Sequence, residues 1–226
     1  MKNYQENIVP ATNQNSENVF LYPNPKSKIK VLFVGNSITK HAPKPEIGWT
    51  NDCGMAASSL DNDYVHLVVK KIKEKYDENL SFGIAQVAEY ERNFTTMSPA
   101  ELYQSARNFN ADIIITFFGA NVSKDYDTAV NPVKTFGKAY EEMCDYLSNG
   151  SAKVYHGMGF YVREKLDKEK LEVAKARGEV YMDISDIRKR DDSHGLFNHP
   201  GDLGMAMIAD RFFSYVEKAV QELTEK

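Results

Sequence analysis

The sequence predicts an α/β protein, a five-stranded parallel sheet with helices on both faces. Three observations carry that expectation. From Lys28 onward, apolar runs with β-branched residues alternate with helical patterns. Several of those runs are continuously apolar, as strands covered on both faces should be. A helical pattern separates each strand from the next, which argues for parallel neighbours with helices on both faces of the sheet.

The elements follow in order. Residues 1–27 are rich in Asn, Pro and Ser and read as an extension packed on the domain, with Val19-Phe20-Leu21-Tyr22 a candidate edge segment. The domain proper is expected over 28–226. Its strands are predicted over 30–34, 80–87, 112–118, 152–160 and 179–184. Helices are predicted over 63–76, 99–109, 132–147, 168–177 and 203–223. The second helix opens on Ser98-Pro99-Ala100-Glu101, a capping box with proline at the first helical position. The third stops before Asn149-Gly150. In the last helix Met205, Ile208, Phe212, Tyr215, Val216 and Ala219 form a core-facing stripe.

Composition narrows the function. With 226 residues, 42% of them apolar, the chain supports one substantial core and is short for two. It has 28 basic against 32 acidic residues and no long basic run, so nucleic-acid binding is not expected. The nearest basic cluster, Arg188-Lys189-Arg190, is followed at once by Asp191-Asp192. No segment approaches the roughly 18 apolar residues of a membrane span. Residues 1–16 are polar with no leader-like apolar stretch, so the chain as given is expected to be soluble and cytoplasmic; an exported protein with its leader trimmed would read the same. Cys53 and Cys144 lie far apart, without Cys-x-x-Cys spacing, and are expected to be free thiols. No metal site is expected. His41, Asp52 and His194 lack ligand spacing, and no organic cofactor is implied.

In parallel sheets ligands bind beyond the carboxyl ends of the strands. Chemistry-bearing residues should therefore follow several strands at once, and three strand ends supply them. Gly35-Asn36-Ser37 follows the first strand, Gly119-Ala120-Asn121 the third, and Asn198-His199-Pro200 the loop after the fifth. A serine nucleophile, a histidine base and an amide that donates to an oxyanion are the groups acyl transfer needs. The Ser37 N–H is a second candidate donor. Each residue also has a duller reading: Ser37 as a helix cap, Asn121 as a turn residue, His199 as the mark of a helix start.

Here the sequence resembles the SGNH hydrolases, or GDSL-type esterases. Gly35-Asn36-Ser37 matches their first block, with Asn36 in place of the usual acid. Gly119-Ala120-Asn121 matches the third block, and His199-Pro200 the last. The match in order and strand placement covers roughly residues 28–223. It implies a flavodoxin-like three-layer α/β/α sandwich and a serine hydrolase of carboxylic esters; the expected reading is action through Ser37, His199 and Asn121 without a cofactor, on acetyl esters of carbohydrates.

Two departures follow. The family's last block carries aspartate three residues before the histidine, where this chain has Leu196. Asp192 or Asp191 is a candidate third triad member; alternatively, a backbone carbonyl near Leu196 orients the ring and leaves a Ser-His dyad. The second-block glycine is also missing, so Gly54 or a backbone N–H near Ala88 is the candidate donor. The long loop over 41–60 carries Trp49, expected as a pocket wall. Glu89 and Glu91 read either as groups reaching the site or as surface charge. The rival reading is a carbohydrate-binding module on the same fold with weakened chemistry. A flavin-binding relative fits the sheet but not the site, because the first turn lacks a phosphate-binding loop.

Overall fold

The computed structural model describes residues 18–225, so most of the expected 1–27 extension lies outside the described residues. Strands β1 (Val19–Tyr22), β2 (Lys30–Gly35), β3 (Ser81–Gln86), β4 (Ile113–Phe117), β5 (Lys153–Gly157) and β6 (Val180–Met182) form one sheet in the order β1-β3-β2-β4-β5-β6. The five strands from β2 onward pair in parallel. The expected count of five is corrected to six: the Val19–Tyr22 segment adds an antiparallel strand at the edge, beside β3.

The helices are α1 (Tyr64–Lys75), α2 (Ala88–Asn93), α3 (Gln104–Phe109), α4 (Phe136–Ser148), α5 (Glu164–Arg177) and α6 (Asp202–Thr224). The strand pleat sorts the core into two layers. Val31 and Phe33 face the layer that holds Tyr64, Val68, Met205 and Phe212 of α1 and α6. Leu32 and Val34 face the opposite layer, with Tyr90, Ala106, Tyr140 and Leu166 of α2 to α5. Burying each such side chain contributes on the order of 1.5–3 kcal/mol. A run apolar on both faces is therefore what a central strand requires.

Sequence expectation and structure differ at several ends. The predicted 99–109 helix divides. Its capping box is present, with Ser98 and Glu101 bonded reciprocally, but it opens a 3-10 turn (Pro99–Glu101) before α3. The predicted 132–147 helix begins later, at Phe136, where the Thr135 side chain accepts from the Lys138 N–H. Helix α2 has no counterpart in the sequence reading. Its six residues are too few to specify a helix by themselves, and its place is fixed by packing.

The sheet also sets the level of the site. Gly35, the last residue of β2, lies opposite Gln86 of β3 and Phe117 of β4. The segments that follow those strands therefore emerge together. Among the described residues no helix is long and apolar enough to cross a membrane.

Candidate active site

The turn after β2 depends on close packing. A Cβ on Gly35 would lie 1.8 Å from Thr39 Oγ1 and 3.0 Å from the Phe117 carbonyl oxygen, so only glycine fits. The Asn36 carbonyl then accepts the N–H groups of Thr39 and Lys40 at 2.9 and 3.0 Å. Met55 N–H donates to the Ser37 carbonyl at 2.8 Å. Ser37 is thus held half-buried at the tip of the turn.

His199 comes from the segment before α6. Its Nε2 lies 2.9 Å from Ser37 Oγ, and its Nδ1 lies 3.0 Å from the Phe197 carbonyl. A carbonyl only accepts, so Nδ1 carries the proton and Nε2 is left as the acceptor for the Ser37 hydroxyl. Phe197 and Asn198 both adopt left-handed backbone conformations, φ 57° and 58°. That geometry is unfavourable by roughly 1–2 kcal/mol for Phe197 and less so for asparagine, and it forms the turn from which the Phe197 carbonyl reaches the ring. Tyr161 packs against the imidazole in a T-shaped arrangement with centroids 5.7 Å apart. Burial, chiefly, and the nearby His41 hold the His199 pKa below its ordinary value, while the bond to Phe197 opposes them.

Asn121 follows β4. Gly119, at φ +131°, makes the turn that an L-residue would strain. The Asn121 Nδ2 donates to Glu91 Oε2, and its Oδ1 accepts from Arg92 at 3.1 Å. Glu91 is fully buried and also accepts from the Gly119 N–H and, at 3.0 Å, from Asn36 Nδ2. Burial pushes the Glu91 carboxyl up, against the pull of the surrounding N–H donors. A cavity of about 440 Å³ joins these parts; Ser37, His41, Met55, Glu89, Asn121 and His199 are among the residues lining it.

The structure brings Ser37, His199 and Asn121 to one cavity. Other expected site residues lie elsewhere. Asp192 is paired with Arg190 at 2.8 and 2.6 Å and faces solvent. Asp191 is exposed at the start of a 3-10 turn. Neither reaches His199, whose Nδ1 is on the carbonyl of Phe197. Gly54 N–H points away from the cavity to Asp63 Oδ2 at 3.2 Å, and its lack of a Cβ serves a close approach to the Ile38 carbonyl. Trp49 is not a pocket wall. Its indole is buried in the core, and its Nε1 donates to the His41 carbonyl at 3.3 Å. The loop over 41–60 faces the cavity through His41 and Met55 instead. The Ala88 N–H is taken by Gln86 Oε1 at 3.0 Å.

Glu89 lines the cavity, whereas Glu91 lies beneath it, so surface charge is the wrong description of Glu91. The sequence signal for that burial was present but needed the helix to be seen. Val87, Tyr90, Glu91 and Phe94 fall at helical spacing, so the acid stands on an apolar stripe. Of the weighed metal set, His194 is turned to the Arg188 carbonyl and Asp52 is paired with Lys40. Cys53 and Cys144 are free and buried, and burial pushes the Cys53 thiol up to about 12.

No protein-family model matches the sequence, and no curated protein matches it. The fold is nevertheless shared with solved structures. Axe2, an acetylxylan esterase from Geobacillus stearothermophilus, superposes with a TM-score of 0.56 at 16% identity over 86% of this chain and 96% of that one. A two-domain esterase active on acetylated mannans, crystallised with mannopentaose, gives 0.56 at 16% identity over 85% of this chain and 50% of that one. A protein assigned to the G-D-S-L lipolytic family, from Desulfitobacterium hafniense, gives 0.51 at 12% identity over 81% and 97%. These neighbours have the SGNH hydrolase fold, and the chain shares it.

Proposed function

We propose that the chain is a serine hydrolase of carboxylic esters, with acetyl esters of carbohydrates as its substrate class. The single observation that carries this reading is the 2.9 Å contact between Ser37 Oγ and His199 Nε2, both lining one cavity. The esters named for the structural neighbours support the substrate class.

Ser37 Oγ attacks the ester carbonyl carbon while His199 Nε2 takes its proton. The carbonyl oxygen becomes an oxyanion, which accepts from Asn121 Nδ2 and the Ser37 N–H. The imidazolium is stabilised through Nδ1–H on the Phe197 carbonyl, a neutral acceptor where a carboxylate would add charge. When the tetrahedral intermediate collapses, the alcohol leaves with the proton from Nε2. Water, deprotonated by the same nitrogen, then attacks the acyl-serine and releases the acid and Ser37. The machinery is a Ser-His dyad oriented by the backbone.

The missing carboxylate also favours one rival, a carbohydrate-binding module with lost chemistry. A fluorophosphonate probe and hydrolysis of 4-nitrophenyl acetate separate the two. The hydrolase reading expects covalent labelling at Ser37, and loss of labelling and turnover in a folded Ser37→Ala variant. Undiminished turnover in that variant, or an unlabelled wild type that binds acetylated oligosaccharide without cleaving it, overturns the reading.

A further inference from the structure

An amide is a donor at one edge and an acceptor at the other, and a half-turn about its last bond exchanges them. If Asn121 supplies an oxyanion donor, something must decide which edge it presents. Its two neighbours on α2 have opposite requirements. The Glu91 carboxylate can only accept, and it takes a hydrogen of Asn121 Nδ2. The Arg92 guanidinium can only donate, and it reaches Asn121 Oδ1 at 3.1 Å. A flipped amide would set oxygen against carboxylate and NH2 against guanidinium. One orientation alone satisfies both, and it leaves the second Nδ2 hydrogen to the cavity that Asn121 lines.

We propose that Glu91 and Arg92 act as positioning residues that lock the Asn121 carboxamide with its NH2 available to the oxyanion. The inference rests on the hydrolase reading above. Glu91 is suited to the task because it is itself fixed. Its other oxygen accepts from Asn36 Nδ2 at 3.0 Å and from the Gly119 N–H, so the turns after β2 and β4 share one buried acceptor with Asn121. The acceptor sits at 0% exposure, where water cannot substitute for a lost partner. Glutamine at this position keeps the shape and breaks the logic. With its NH2 toward Asn121 it selects the flipped amide. With its NH2 toward Asn36 and Gly119 it sets donor against donor.

The test is Glu91→Gln, assayed on 4-nitrophenyl acetate with active sites counted by fluorophosphonate labelling. Expected is a kcat per labelled site lower by about ten- to a hundredfold, at or below the lower end of the range for losing an oxyanion donor outright, because the donor is misoriented and not deleted. KM should stay within about twofold. Affinity for a phenylboronic acid, which becomes a tetrahedral anion on the serine, should fall in parallel with kcat. A merely structural role lowers the number of labelled sites and the melting temperature while leaving kcat per site intact, and that result overturns the proposal. If Glu91→Gln does not fold, exposed Arg92 carries the test. Arg92→Met should lower kcat per site several-fold and Arg92→Lys should restore it; no loss, or a loss that lysine does not restore, overturns the lock. A wild-type chain that neither labels nor turns over removes the hydrolase reading itself, whereas an active wild type with unaffected variants removes only the lock.

Discussion

Restoring the acid that the SGNH first block usually carries should damage this protein. In Asn36→Asp, a carboxylate oxygen replaces the amide NH2 that lies 3.0 Å from Glu91 Oε1. Asn36 is 1% exposed and Glu91 0%, so neither group can turn to solvent. Two like charges at that distance, with an effective dielectric of about 20, repel by about 5.5 kcal/mol. Taking up one proton is the less costly escape. A carboxyl with an ordinary pKa near 4 costs about 4 kcal/mol to keep neutral at pH 7, at about 1.4 kcal/mol per pH unit. The variant should therefore hold one shared proton, whose O–H···O bond offsets part of that cost. Its stability deficit against wild type should be about 3–4 kcal/mol at pH 7. The sign of the pH dependence follows from proton binding. The native variant holds a proton that the unfolded chain has released above about pH 5, so stability falls as pH rises. The raised folded pKa makes the paired state whole below the unfolded carboxylate range and loses it on the way up. Urea unfolding followed by circular dichroism at pH 5, 6 and 7, with wild type as reference, measures this. The deficit should shrink by about 1.4 kcal/mol per unit on acidification. A variant within about 1 kcal/mol of wild type at pH 7, or a deficit that does not shrink, refutes the reasoning.

Two further outcomes bear on the base. Under the proposed mechanism His199 acts in its neutral form, and burial together with His41 holds its pKa below 6.5, so the acid limb of kcat/KM should fall at a pH below that value. His41→Gln removes one of the two lowering influences and should move the limb upward, as a pH–rate profile of the two proteins will show; a limb above 6.5 in wild type contradicts the assignment. Asp192→Asn and Asp191→Asn should each leave kcat/KM on 4-nitrophenyl acetate within about twofold of wild type, because His199 Nδ1 is bonded to the Phe197 carbonyl and the Asp192 carboxylate to Arg190. A loss above tenfold in either would restore an acid to the machinery.

Glu91 ties together the turns that carry the candidate groups of this chain. One carboxylate joins Asn36, in the turn after β2, to Gly119 and Asn121, in the turn after β4. Placing three donors on one buried acceptor favours the ionised form that burial disfavours. The same arrangement makes positions 36 and 91 interdependent, so the departure at Asn36 and the burial of Glu91 are one feature seen from two strands.

The sequence by itself determined the layers and the level of the site. Continuous apolar runs such as Val31 to Val34 require cover on both faces, and local pattern is enough to say so. Strand ends are local too, which is why Ser37, Asn121 and His199 could be named as converging groups from their positions alone. What holds those groups was decided only in three dimensions. The partner of His199 Nδ1 is a carbonyl, and every residue has one, so no side-chain pattern marks Phe197. Trp49 carried the composition of a pocket wall, yet the loop folds its indole into the core. Glu91 reads as charge on a short segment until α2 forms and packs its face inward. Local chemistry singles out the candidate side chains because the proposed reaction requires their types. Orientation comes from backbone carbonyls and buried partners whose identity depends on which chain segments the sheet brings side by side.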